Sequence, residues 1–230
     1  MTKYILAVSM WALLGSSLQA QQIFKGKITY KSSFSGDDKL IQSAKLFLGT
    51  SAQIISDGKK FRYTSEGGMR KKEDIFEVGK KTFYKINAKQ QTIRKKFLSK
   101  KSDRKRNVTL KKTGEVKIIA GIKAYEVEIY RDEKKQVTVW LSDEYVWNLK
   151  DHPYKVRGLL LEGSVKDLDY KVILGLEFPH PSGKASITMT AQEIDTNVPK
   201  NAFKLPDYQM VDDTVKEEPK PPVKNDGGKE

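Results

Sequence analysis

Apolar and polar residues alternate along much of this chain, and this period-two pattern restricts the folds open to it more than any other feature. In the longest run, every second position from residue 168 to 178 is apolar: Leu168, Tyr170, Val172, Leu174, Leu176 and Phe178. Shorter runs begin at Phe24, Phe61, Tyr125, Val137 and Ala185. Because successive side chains of a strand point to opposite faces, each run predicts a strand with one buried and one solvent-facing side.

Turn and helix signals complete this prediction of the fold. Asp57-Gly58 is a hairpin-type turn, and further turns are expected at 132–136 and 181–183. Ser142 to Lys150 predicts either a short helix capped by Ser142 or a loop and strand, and Pro199 to Phe203 predicts a short turn. We therefore predict a mainly β fold, a curved antiparallel sheet or incomplete β-barrel with a few short helices.

Both ends of the chain differ from the middle. Residues 1–20 combine Lys3, an apolar stretch and a small-residue end at Ala20, which is the layout of a cleaved signal peptide. Residues 211–230 are rich in charge and proline and nearly free of apolar side chains, which predicts a disordered charged tail. Residues 21–210 then form a single β domain, and the localisation we expect is the periplasm, with outer-membrane association or secretion as further options.

Charge and composition restrict the function. The net charge of +14 favours anionic partners, and export argues against nucleic acid. Cysteine is absent, which removes thiol catalysis and thiolate metal sites. With only two histidines, a zinc or iron site would depend almost wholly on carboxylates, which is uncommon for those metals. We predict neither a metal nor a cofactor.

Four segments together resemble an uncharacterised family of exported Gram-negative envelope proteins. They are GKITYK at 26–31, TGEVKIIAGIKAY at 113–125, VWLSD at 139–143, and ITMTAQEI at 187–194 followed by Phe203 and Pro206. The resemblance covers most of residues 24–208. It implies the fold of the lipoprotein carriers LolA and LolB, an incomplete antiparallel barrel around an apolar cavity, and it implies no catalytic residues.

Two groups of residues are candidates for binding. The stripe of Tyr170, Val172, Leu174, Leu176 and Phe178 is the best candidate for the wall of a ligand cavity, and its alternative is ordinary core. The most basic stretch is the candidate for contact with an anionic surface, and its alternative is a solvated loop whose like charges oppose edge-to-edge aggregation. It contains Arg94, Lys95, Lys96, Lys100, Lys101, Arg104, Lys105 and Arg106.

Candidate catalytic groups are weak. Asp143 and Glu144 are adjacent and would point to opposite faces of a strand, whereas Asp167 and Asp169 could share a face. His152 follows Asp151, but no nucleophile motif accompanies it. We predict that the protein is not an enzyme.

Two functional hypotheses follow. The first is a non-enzymatic periplasmic binding protein that holds a lipid or other apolar ligand in a half-barrel cavity with a basic rim. The second is a structural or accessory cell-envelope protein that binds anionic polysaccharide, lipopolysaccharide or a partner protein through its basic surface.

Overall fold

A single sheet dominates the computed structural model, which describes residues 21–68, 71–98, 108–153, 166–179 and 182–214. One helix, α1 (Asp38–Leu48), is found in these ranges. The strands, in chain order, are β1 (Gln22–Ile23), β2 (Gly26–Gly36), β3 (Ser51–Ser56), β4 (Lys60–Glu66), β5 (Lys72–Glu77), β6 (Thr82–Asn87), β7 (Thr92–Phe97), β8 (Val108–Ile119), β9 (Ile122–Arg131), β10 (Lys134–Val146), β11 (Lys171–Pro179), β12 (Ala185–Asp195) and β13 (Gln209–Asp212).

The sheet is open and curved. Its strand order is β13-β7-β6-β5-β4-β3-β2-β12-β11-β10-β9-β8, and β1 pairs separately with β10. Neighbouring strands are antiparallel, except that β13 runs parallel to β7 and β1 parallel to β10. Strands β8 and β12 come into contact although three strands lie between them, so the sheet curls strongly at the β8 end. The predicted fold class, a mainly β protein with a curved antiparallel sheet, is confirmed.

Helix α1 was not predicted from the alternation pattern. Asp37 caps its first turn, because its carboxylate accepts hydrogen bonds from the amides of Lys39 and Leu40 at 3.0 and 3.2 Å. The half-buried Leu40, Ile41 and Ala44 recur at helical spacing, which gives the helix one apolar side. No membrane-spanning candidate, meaning a helix long and apolar enough to cross a bilayer, is present in the described part of the chain.

The region of Ser142 to Lys150 adopts the second of its two predicted conformations. Strand β10 continues through Val146, and a bend and turn follow. The Ser142 hydroxyl accepts hydrogen bonds from the amides of Glu144 and Tyr145 at 3.1 and 3.0 Å, which is the local bonding that also makes serine a helix cap. The turn predicted at Pro199 to Phe203 is present.

Aromatic side chains fill the largest hydrophobic cluster. Phe61 stacks on Phe76 with ring centroids 4.8 Å apart, and Trp147 meets both Phe61 and Phe24 edge-on at 5.5 Å. Buried residues of strands from β2 to β12 join them. Trp147, which directly follows β10, therefore contributes its side chain to this core.

Strand β11 departs from the predicted alternation. The strand begins at Lys171 and not at 168, because residues 166–170 form a turn. Its residues 172–176 are all buried, so both faces of β11 are covered. A register shift against β10 leaves Leu174 without a partner in that strand, which breaks the period-two pattern.

The C-terminal boundary also differs from the prediction. Val211 and Asp212 belong to strand β13, so the chain is still paired to the sheet where a disordered tail was expected to begin. Residues 1–20 and 215–230 lie outside the described residues, and the predictions of a signal peptide and of the remaining tail stay predictions.

Candidate functional site

A cavity of about 800 Å³ opens at the β8 end of the sheet. Strands β8, β9 and β10 and the turn at 166–170 surround it. Its apolar lining consists of Leu110, Val116, Tyr125, Val127, Leu141 and Leu168. This volume lies in the range of small-molecule sites, which are concave and mostly apolar with a few polar groups.

Strand register explains how the apolar wall is assembled. Tyr125 pairs with both Val116 of β8 and Leu141 of β10, so the three side chains stand side by side on one face. Leu141 is 2% exposed, whereas Val116 is 51% exposed and Leu110 is 37% exposed. The apolar wall therefore combines a buried side chain, Leu141, with two side chains that are open to solvent, Val116 and Leu110.

A bulge in β8 lies next to the cavity. The residues at 113–115 lie opposite the single residue Glu126 of β9, between the pairs Lys112 to Val127 and Val116 to Tyr125. Gly114 has a φ of 89°, a conformation that residues with a side chain rarely adopt. Bulges bend a strand and redirect its side chains, and here the bend accompanies the opening between β8 and the rest of the wall.

Charged side chains gather around Tyr125 at the edge of the cavity. The ammonium groups of Lys171 and Lys112 lie 4.8 and 6.0 Å from the centroid of the Tyr125 ring. Asp143, Asp167 and Asp169 also line the cavity. The predicted basic rim is wrong for this cavity, because three carboxylates accompany the two ammonium groups there.

The pKa values of Tyr125 and Lys171 depend on burial and on the charges of their neighbours. Burial raises the pKa of Tyr125 to about 12, and the carboxylates of Asp143 and Asp169 contribute in the same direction. Burial lowers the pKa of Lys171, and the positive charge of Lys112 adds to this, while Asp143 and Asp169 act against it. Opposite charges thus lie within electrostatic reach of one another beside an apolar wall.

The turn at 166–170 holds two of the carboxylates in place. Leu168 is 3% exposed and anchors the turn in the second hydrophobic cluster, while its neighbours Asp167 and Asp169 line the cavity. The Lys171 amide donates to the Leu168 carbonyl at 3.0 Å. Asp169 and Tyr170 have φ values of 52° and 59°, a region that aspartate tolerates and that is unusual for tyrosine.

The predicted ligand wall on β11 is not the wall of this cavity. Val172 and Leu174 are fully buried in the largest cluster, and Leu176 is buried in the second cluster, with Phe178 packed against it. Tyr170 is half-buried in the turn. The five residues therefore lie in two different clusters, because the bulge at Leu174 interrupts their common face.

The described part of the predicted anionic-surface site is paired within the chain. Lys95 contacts Asp212 at 2.8 Å, and Lys96 and Arg94 contact Asp213 at 3.2 and 3.5 Å. Strand β13 thus brings two carboxylates against three of the basic residues on β7. The other predicted residues, Lys100, Lys101, Arg104, Lys105 and Arg106, lie outside the described residues.

Of the candidate catalytic groups, Asp143, Asp167 and Asp169 line the cavity, whereas His152 belongs to the buried core. His152 is 1% exposed, accepts a hydrogen bond from the Gly79 amide on Nδ1 at 3.0 Å, and packs on Phe76. Within the described ranges, no group of three or more histidine, aspartate or glutamate side chains could hold a metal ion.

Sequence reasoning missed Tyr125 and Lys171 as site residues, because each was interpreted as part of an ordinary strand. Lys112 was considered only as the end of the basic stretch and not as part of a cavity. The pairing of Tyr125 with Val116 was not visible, because it depends on how many residues the β8 bulge contains.

Comparisons with known proteins give distant likenesses only. No family model matches the chain, and no curated protein matches it. Among solved structures, it is similar to PNGF-II with 14% identity and a TM-score of 0.32, covering 82% of this chain and 31% of that one. It is also similar to a domain from Vibrio parahaemolyticus described as an outer membrane lipoprotein-sorting protein, with 10% identity, a TM-score of 0.28, and 80% and 91% of the two chains covered.

The chain therefore spans less than a third of the length of PNGF-II. At these TM-scores neither likeness carries an argument about function, and the membership of the LolA/LolB-like family stays a prediction.

Proposed function

We propose that this protein is a non-enzymatic binding protein of the cell envelope that holds the apolar part of a lipid-like ligand in the cavity at the β8 end of the sheet. The observation that carries the proposal is the combination of an open apolar wall with charged groups on one side of it. An amphiphile has the same arrangement, with an apolar chain joined to a polar head.

The exposed residues of β8 support this proposal. Leu110 and Val116 line the cavity and are a third to a half exposed, whereas Val127 and Leu141 in the same lining are buried. An apolar ligand that covers them extends the hydrophobic cluster toward the solvent. Each methylene group removed from water contributes about 0.8 kcal/mol, so a short chain suffices for measurable binding.

The interior of the curved sheet is a poorer candidate. It is already occupied by aromatic rings in close contact, those of Phe24, Phe61, Phe76 and Trp147.

The second hypothesis, contact with an anionic surface through the basic stretch on β7, also loses support. Its three described cations already have carboxylate partners, Asp212 at the end of β13 and Asp213 directly after it.

Chain-length dependence tests the proposal. Alkyl phospholipid analogues that share one head group and increase stepwise in chain length are titrated into the full chain, below their micelle concentration, by calorimetry. Affinity is expected to rise about fourfold for each added methylene, up to the length that the cavity accepts. Native mass spectrometry gives the number bound.

A pair of variants on β8 locates the ligand. Val116→Asn places an amide on the apolar wall and is expected to weaken binding and to lower the chain-length dependence. Ile118→Asn is the matched control, because Ile118 is 68% exposed on the same strand and does not line the cavity. Affinity that is independent of chain length in the wild type, or equal losses in the two variants, would contradict the proposal.

A further inference from the structure

The polar head of the ligand can be inferred from the charges at the cavity, and this inference rests on the proposed function. The chain as a whole carries a net charge of +14, yet the lining of the cavity contains Lys112 and Lys171 against Asp143, Asp167 and Asp169. The local balance is therefore opposite in sign to that of the chain. A ligand with a purely anionic head would face more carboxylates than ammonium groups.

Glu126 also belongs to the lining, but its carboxylate does not change this balance on the Tyr125 face. It pairs with Trp140 and alternates with Tyr125 and Val127, so its side chain lies on the opposite face of β9. There its neighbours include Lys117, whose ammonium group lies 3.5 Å from the Trp140 ring. The carboxylates that a ligand in the cavity meets are those of the three aspartates.

We propose that the ligand is a zwitterionic amphiphile whose head carries a phosphate and a primary ammonium group, as in a phosphoethanolamine lipid. Lys112 and Lys171 bind the phosphate, and Asp143 and Asp169 accept hydrogen bonds from the ammonium group. Both pairs lie around Tyr125, where the apolar wall begins. Charge-assisted hydrogen bonds of this kind are stronger than neutral ones, so the head confers selectivity.

The arrangement disfavours the other common heads. A phosphoglycerol head offers the aspartates no ammonium group, and a sugar head offers neither a phosphate to the two lysines nor an ammonium group to the aspartates. Leaving a charged group unpaired on binding costs affinity, since its hydration is lost without replacement. Discrimination between phosphoethanolamine and phosphoglycerol heads of about tenfold is expected from one charge-assisted pair.

Three amphiphiles, each measured at the same two chain lengths, test the inference: an alkyl phosphoethanolamine, an alkyl phosphoglycerol and an alkyl maltoside. The wild-type protein is expected to bind the first about tenfold more tightly than the second. Asp143→Asn and Asp169→Asn are expected to reduce this ratio toward one. Lys171→Gln is expected to weaken both phosphate ligands and to leave the maltoside unaffected.

A matched control separates charge from backbone conformation. Asp169 has a φ of 52°, and Asp132, in the turn between β9 and β10, has a φ of 48° without lining the cavity. Asp132→Asn makes the same substitution in the same conformation and is expected to leave the ratio unchanged. Equal affinity of the wild type for the two phosphate heads, or an unchanged ratio in both cavity variants, would overturn the inference.

The two proposals fail differently in this experiment. If all three amphiphiles bind with chain-length dependence and equal affinity, the apolar site stands and the head-group inference is wrong. If none binds with chain-length dependence, the proposed function itself is wrong.

Discussion

Replacing Phe61 by alanine tests whether the aromatic cluster holds the curved sheet together. Phe61 is 1% exposed, stacks on Phe76 at 4.8 Å with ring planes 3° apart, and meets Trp147 at 5.5 Å. A buried Phe→Ala substitution removes about 3–5 kcal/mol from the free energy of unfolding, because it loses burial and leaves a cavity. For a domain of this size, each kcal/mol lowers the melting temperature by about 2–4 °C.

Urea unfolding followed by circular dichroism measures this loss. Phe97→Ala is the matched control, because Phe97 is 50% exposed and its ring contacts only the ammonium group of Lys81 among the ring and cation contacts described, at 4.4 Å. The same chemical change there is expected to cost about 1 kcal/mol or less. A loss at Phe61 no larger than that at Phe97 would refute the packing argument.

A double-mutant cycle isolates the stacked pair within this effect. Phe61→Ala and Phe76→Ala are compared singly and together, and the coupling expected for an aromatic pair is about 0.5–1.5 kcal/mol. Additive losses would mean that the two rings contribute through burial alone.

Three further predictions concern separate features. Tyr30→Phe removes a buried hydrogen bond of 2.8 Å to a main-chain carbonyl of β11 and is expected to cost about 1–3 kcal/mol in urea unfolding, whereas the half-buried Tyr84→Phe is expected to cost little. Asp37→Ala removes the cap of α1 and is expected to cost about 0.5–2 kcal/mol in the same assay. Hydrogen bonds from the Lys95 ammonium group and then from Thr214 lower the pKa of Asp212 to about 2, from 3.8, so the stability they contribute is present above pH 3.8 and is lost as the pH falls toward 2. The resonances of β13 should shift toward random-coil values over that range, and Lys95→Met should produce part of the same shift at neutral pH.

The sequence predicts the strands well where a strand has one covered face. Phe61 and Tyr63, for example, alternate with Lys60 and Arg62 along β4, and the structure places Phe61 in the core and Lys60 in solvent. The pattern fails on β11, where five consecutive residues are buried. A strand covered on both faces has no polar side, so alternation cannot mark its boundaries or its bulge.

The cavity could not be predicted because it depends on register. The pairing of Val116 with Tyr125 requires the β8 bulge, and the local spacing of residues does not determine how many residues the bulge contains.

The ion pairs of β7 with Asp212 and Asp213 were missed for another reason. Asp212 and Asp213 lie more than a hundred positions from Lys95, in a segment whose composition indicates a disordered tail.

The charges of this protein are expected to act at two distances. A net charge of +14 favours approach to anionic surfaces in general, and salt screens such an attraction beyond about 8–10 Å. Inside the cavity, Asp143 and Asp169 act on Lys171 beside an apolar wall, where screening is weaker. If the proposed head-group pairing is correct, long-range attraction and head-group selection depend on different residues. Substitutions that lower the overall charge should slow association with anionic vesicles and reduce its dependence on salt. A single Asp→Asn substitution in the cavity changes the net charge by only one, so it should change selectivity with little effect on the salt dependence.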